Sequence, residues 1–288
     1  MRRLSEIVMT AGVFFVSSCS NPGDPTPVQQ ETRVHIRAAW SPDGQTIAFT
    51  NMAAGGLGIY VMDTSGANMT LVIQGGGIGL SWSPSSDRLI FSALSNLYTI
   101  KVNGDSLVQL TNTAADIRPS WSPDGSSIVY MGTGGINLLR LSTGMTSLVH
   151  AAGNFPHWTP EGTIFRVVEN ASSPQQISYT FEVIDTVGSI LRVVAGFQSG
   201  SFCDFASMNR DSSAVVFSAR PIDLSGHSQI IKLTIATQEL TDLTVDGGDY
   251  PAWSPDGTRI VYTRTKEGDG GLWIMDADGS NKRSLTQP

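Results

Sequence analysis

Beyond residue 31 the apolar residues come in short runs set off by Gly, Asp, Asn and Ser, and no stretch offers a convincing helix. Runs rich in β-branched and aromatic residues recur at Thr46–Thr50, Arg88–Phe91, Ser127–Tyr130, Thr163–Val168, Ala214–Phe217 and Arg259–Tyr262. Each reads as a strand and is followed by another, at Gly58–Met62, Asn96–Val102, Ile136–Leu141, Tyr179–Ile184, Gln229–Ile235 and Leu272–Met275. After a turn such as Asp63-Thr64-Ser65-Gly66 a further strand follows, at Thr70–Ile73, Leu107–Thr111, Thr146–His150, Ile190–Val194, Glu239–Thr244 and Lys282–Thr286. The longest segments outside these runs are Glu169–Gln176 and Arg220–Ser228, which read as long loops.

Ahead of each group stands one motif. Trp-Ser-Pro-Asp-Gly is intact at Trp40–Gly44, Trp121–Gly125 and Trp253–Gly257, with weaker copies beginning at Trp82, Trp158 and Met208. Pro presets the second position of a type I turn, Asp suits the third, and Gly accepts positive φ. The motif is therefore a corner between two strands, and its Trp is large enough to fill a wedge between neighbouring sheets. Repetition at this period is the mark of radially repeated sheets. The expected fold is all-β: a six-bladed β-propeller of four-stranded antiparallel blades over residues 32–288.

Composition narrows the partners. With 25 Asp and Glu against 18 Lys and Arg the formal charge is −7, and no basic run exceeds two residues, which argues against nucleic acid. The first residues stand apart: Arg2 and Arg3 precede an apolar run, Ile7–Val16, too short to span a membrane and typical of a secretion signal. Val16-Ser17-Ser18-Cys19 resembles the lipobox of bacterial lipoproteins, with Val16 where that family most often has Leu. The resemblance implies that residues 1–18 are a signal peptide, that Cys19 carries lipid, and that Ser20 directs the protein to the outer membrane, facing the periplasm. Residues 19–31, with three prolines between Ser20 and Glu31, read as a flexible tether. Cys203 is then the one free thiol and reads as a small packed residue, since no activating base lies near it in sequence.

The unit from Ala252 to Thr286, AWSPDG…IVYTR…GLWIMDADGSNKRSLT, resembles the repeat of the TolB propeller family, strongly in the first, third and sixth copies and weakly in the fourth and fifth. That resemblance implies an envelope propeller acting by contact, without the α/β domain that precedes the propeller in TolB itself. No cofactor is expected, and the partners expected are an envelope protein or peptide, with the membrane reached only through the N-terminal lipid and the domain itself a monomer.

A propeller's usual binding place is the mouth of its channel. Counting four residues back from each motif Trp or Met gives Ile36, Ile78, Ile117, Asn154, Asp204 and Asp249; counting three gives Arg37, Gly79, Arg118, Phe155, Phe205 and Tyr250. His35 and Asp116 lie one step further out. The candidate site is thus Arg37, Arg118, Asp116, Asn154, Phe155, Asp204, Phe205, Asp249 and Tyr250, with the two arginines holding a carboxylate-bearing partner against aromatic rings. The plainer alternative makes the rings blade-packing core and leaves the carboxylates solvating the channel. No metal is expected: Asp204, Asp249 and Asn154 supply three oxygens where calcium wants six to eight, and Asp276-Ala277-Asp278-Gly279 lacks the spacing of a calcium loop. The four histidines lack zinc spacing, no Gly-x-Ser-x-Gly occurs, and His157 reads as a structural histidine. A carbohydrate-active lyase or glycosidase using Asp204 and Asp249 is the competing function, and a purely structural subunit the third.

Overall fold

The computed structural model describes residues 37–51, 57–173, 176–199, 201–221, 227–265 and 271–286. The expected signal, Cys19, the tether, His35 and Ile36 lie outside the described residues. Twenty-four strands form six four-stranded antiparallel sheets, each built from four consecutive strands. The first blade is β1 (Arg37–Trp40), β2 (Thr46–Asn51), β3 (Gly58–Asp63) and β4 (Thr70–Gln74). The second is β5 (Ile78–Trp82), β6 (Arg88–Ala93), β7 (Asn96–Lys101) and β8 (Val108–Gln109). The third is β9 (Ile117–Trp121), β10 (Ser127–Gly132), β11 (Gly135–Arg140) and β12 (Met145–His150). The fourth is β13 (Asn154–Trp158), β14 (Ile164–Ser173), β15 (Gln176–Ile184) and β16 (Ile190–Ser199). The fifth is β17 (Ser201–Met208), β18 (Ala214–Pro221), β19 (Gln229–Thr234) and β20 (Glu239–Asp242). The sixth is β21 (Asp249–Trp253), β22 (Arg259–Arg264), β23 (Gly271–Asp276) and β24 (Arg283–Ser284).

The innermost strands β1, β5, β9, β13, β17 and β21 touch in that order, and β21 returns to β1, closing the ring. Six wedges separate the blades, and six apolar clusters fill them. Each contains the motif residue of the following blade: Trp82 between the first two, then Trp121, Trp158, Met208, Trp253, and Trp40 between the sixth and first. The second strand of each blade feeds two wedges at once. In β18, Val215, Phe217 and Ala219 face the fourth blade, while Ala214 and Val216 face the sixth. Successive side chains of a strand point to opposite faces, so a strand buried on both sides must be apolar without alternation. Burying one such Phe or Val contributes about 1.5–3 kcal/mol, which is how a ring without an internal disulfide among its described residues holds.

Among the described residues each blade is built from consecutive strands, and the ring closes by side-chain contact. Leu285 and Leu272 of the last blade pack against Trp40, Phe49 and Met62 of the first, and Arg283 donates to the carbonyls of Thr64 and Ser65.

The corner motif folds as its residues dictate. In the first blade the Gly44 N–H donates to the Ser41 carbonyl at 2.9 Å, and Gly44 sits at φ 70°. The Asp43 carboxylate accepts from the Ser41 hydroxyl at 2.6 Å and the Gln45 N–H at 2.9 Å, and these bonds hold its pKa below the usual value. The same net recurs around Asp124 and Asp256.

Two segments differ from expectation. Glu169–Gln176 is mostly strand rather than loop: β14 runs on to Ser173 and pairs Glu169 with Tyr179 and Asn170 with Ser178. Tyr179 is almost wholly buried there, so the polar run is carried by its apolar partner strand. The outermost strands β8 and β24 are only two residues each, shorter than the outermost strands of the other four blades.

Candidate binding site at the channel mouth

The channel encloses a cavity of about 430 Å³ lined by the innermost strands, from Arg37, Gly79, Arg118, Phe155, Phe205 and Tyr250 at the end where those strands begin down to the motif tryptophans. This is the ring obtained by counting three back from each motif residue. A backbone device aims it. Gly79, Arg118, Phe155, Phe205 and Tyr250 all have φ between 52° and 68°, and each lies inside a register shift of its innermost strand. A bulge of this kind turns one side chain out of the alternation of the strand. Left-handed backbone costs a non-Gly residue about 1–2 kcal/mol, and four such residues stand at one structural level.

The side chains interlock. Arg37 lies over the Tyr250 ring at 4.5 Å and the Phe205 ring at 4.9 Å, and donates to the Tyr250 hydroxyl at 3.3 Å. Arg118 lies over Phe155 at 4.0 Å and Phe205 at 5.3 Å. Phe205 meets Phe155 edge-on at 5.1 Å and Tyr250 at 4.1 Å. Both guanidiniums therefore converge on one ring. Neither is within ion-pair distance of a carboxylate among the described residues, and the buried Arg37 Nε has no acceptor. Burial first, and the charge of Arg37 second, push Arg118 below its ordinary pKa.

The acids stand elsewhere. Asp204 lies within β17 and Asp249 begins β21, and neither lines the cavity. Asp204 faces Arg220 at 3.7 Å, and Asp249 accepts from the Tyr250 N–H at 3.0 Å. Burial raises the Asp249 pKa, with Ser218 and the Tyr250 N–H opposing. Asn154 begins β13, pairs with Val167 and is also outside the lining. Asp116 does not reach the channel: it is 1% exposed, its N–H is bound to the Ser95 carbonyl, and its carboxylate lies beside Gly132 of the third blade. No group of three or more metal-ligating side chains forms among the described residues.

Below the mouth the residue before the motif Trp or Met stitches neighbouring blades in three places. The Ser81 hydroxyl accepts from the Trp121 N–H and the Ser120 hydroxyl from the Trp158 N–H, both at 3.1 Å. In the next blade His157 takes this place, its Nε2 accepting from the Met208 N–H at 3.4 Å, so the ring proton is on Nδ1. Burial pushes the His157 pKa down to about 4, with the Phe155 carbonyl opposing. Its role was legible in principle, since Ser81, Ser120, His157 and Ser207 share one offset from the motif. The Arg166–Glu182 pair was not: it is buried, bonded at 2.9 Å through Arg166 Nε, and lies on strands whose sequence marks neither residue. Cys203 is buried, with its thiol pKa raised well above the ordinary value by burial first, which fits a packed residue.

A model of the TolB beta propeller domain matches residues 23–221. A TolB homolog from Chlorobium luteolum is 26% identical over 46% of this chain and 32% of its own length. The structure of TolB from Acinetobacter baumannii superposes with a TM-score of 0.67 at 20% identity, over 86% of this chain and 62% of that one. A putative TolB from Agrobacterium tumefaciens gives a TM-score of 0.63 at 20% identity, over 76% of this chain and 84% of that one. The chain thus spans about a third of the first relative and under two thirds of the first structure.

Proposed function

The chain belongs to the TolB β-propeller domain family, and from that premise we propose that it is a non-enzymatic binding module of the bacterial envelope that takes a carboxylate-bearing protein or peptide segment at its channel mouth. One observation carries this: two guanidiniums, held on three aromatic rings, face the channel with no carboxylate among the described residues at ion-pair distance. Each cation–π contact contributes about 0.5–2 kcal/mol, enough to hold the side chains in place but not to neutralise them. An anionic group arriving there meets donors already oriented, so little ordering entropy is lost on binding. The cavity lining contains no carboxylate among the described residues, and Asp204 is turned to Arg220; this favours binding over acid–base chemistry on a sugar.

In this reading residues 1–18 are removed, Cys19 carries the lipid, and 19–31 tether a monomeric propeller to the outer membrane on its periplasmic side. Lipid anchoring raises its local concentration for an envelope partner.

The test is affinity capture from membranes with the lipidated chain, repeated with Arg37→Ala and Arg118→Ala together. The expected result is loss of the partner at unchanged folding, read by circular dichroism. Equal recovery by the double variant overturns the channel-mouth reading.

A further inference from the structure

The ring at the mouth has six positions and only five side chains. Going round it, Arg37, Gly79, Arg118, Phe155, Phe205 and Tyr250 come one from each blade, and Gly79 falls between the two arginines. Both guanidiniums lie over the Phe205 ring, at 4.9 and 5.3 Å. The one sector without a side chain is thus bounded by two cations that have no carboxylate at ion-pair distance among the described residues.

Glycine is not required there by backbone conformation alone. Arg118, Phe155, Phe205 and Tyr250 adopt nearly the same left-handed φ at the equivalent place. Space is what differs: a Cβ on Gly79 would stand 3.0 Å from Arg118 Cα and 3.2 Å from Pro119 Cδ. Past the opening small residues, Ala38, Ser81, Ser120 and Ala206 among them, alternate with the motif tryptophans in the wall of a cavity of about 430 Å³, which has room for a chain end or a single side chain.

We infer that Gly79 is the specificity-determining residue of this site: a peptide carboxylate enters over it and bridges Arg37 and Arg118. The inference rests on the binding function proposed above and adds where the anion sits. The carboxylate can come from a free C-terminus or from an acidic side chain, which share one chemistry.

Three penta-alanine peptides, labelled at the N-terminus with the uncharged dye 7-methoxycoumarin, separate the sources: one with a free C-terminus, one amidated, and one amidated with a terminal Glu. Binding is measured by fluorescence polarisation to the wild-type propeller, Gly79→Asp and Gly79→Asn. Asp and Asn bring the same bulk and tolerate left-handed φ equally, so their difference reads charge alone. The expected result is binding of an acid-bearing peptide but not the neutral one, weakened at least tenfold by both substitutions. At low salt Gly79→Asp also melts above Gly79→Asn, because its carboxylate occupies the slot. Should both variants fail to fold, melting the wild type in glutarate against chloride of equal ionic strength decides. A rise confined to the wild type and absent from the Arg37→Ala, Arg118→Ala double variant supports the slot; identical melting in the two salts overturns it. Undiminished binding by a folded Gly79→Asp, or equal melting of the Asp and Asn variants, overturns it as well. In either of those cases the proposed function still stands if membrane capture depends on the two arginines.

Discussion

Replacing His157 by Ser will change how this propeller responds to acid. His157 Nε2 accepts from a backbone N–H of the next blade, and protonation would set a donor against that donor. With a folded pKa of about 4 against about 6.5 unfolded, the unfolded chain gains a proton first as pH falls. Stability is therefore unaffected by this group above pH 6.5 and is lost progressively between about 6.5 and 4. Between pH 7 and pH 4.5 the loss amounts to about 2–3 kcal/mol at 1.36 kcal/mol per unit. His157→Ser restores the residue that does this work in the second and third blades, where Ser81 and Ser120 accept the equivalent bond. The variant gives up ring contact with Phe165, 4.7 Å away, but that cost does not vary with pH. Urea unfolding at pH 7, 6, 5 and 4.5 reads both terms: the offset at pH 7 reports packing, and the change in the difference with pH reports the proton. Parallel stability curves for wild type and variant across that range would refute the account.

Two further perturbations bear on the scaffold. Glu182→Gln leaves Arg166, 2% exposed, without its counter-charge and is expected to cost about 3 kcal/mol. Thermal unfolding should show most of that recovered when Arg166→Met and Glu182→Leu are combined, as an apolar pair needs no desolvation compensation. Ser212 holds φ 56° where intact corners have Gly at 70–74°, so Ser212→Gly should stabilise by about 0.5–1 kcal/mol, seen as a raised Tm; a lowered Tm would count against strain at that corner.

Much of the architecture is legible in the residues because it is local. The Ser, Asp and Gly of each intact corner make their hydrogen bonds within six residues of one another, so the turn and its period need nothing distant. The continuous apolar triads of β2, β6, β10 and β22 likewise declare strands buried on both faces. The ring of Arg37, Gly79, Arg118, Phe155, Phe205 and Tyr250 could be found by counting, since five of the six blades place a bulge at the same step.

Long-range burial is where counting stops. Asp116 sits one step beyond the mouth in sequence yet faces the third blade, because the direction of a side chain past a bulge depends on what packs against it. The strand extension at Glu169–Ser173 depends on Tyr179 across the sheet, and the Arg166–Glu182 pair on two strands meeting 16 residues apart. The amino-acid sequence by itself determined the repeat, its corners and the level of the channel at which six residues gather, since these follow from short-range stereochemistry applied six times. Only the tertiary structure decided that two of those residues are cations with no carboxylate at ion-pair distance among the described residues, that the acids beside them turn elsewhere, and that the gap falls at Gly79. Charge pairing and free space depend on groups brought together from different blades.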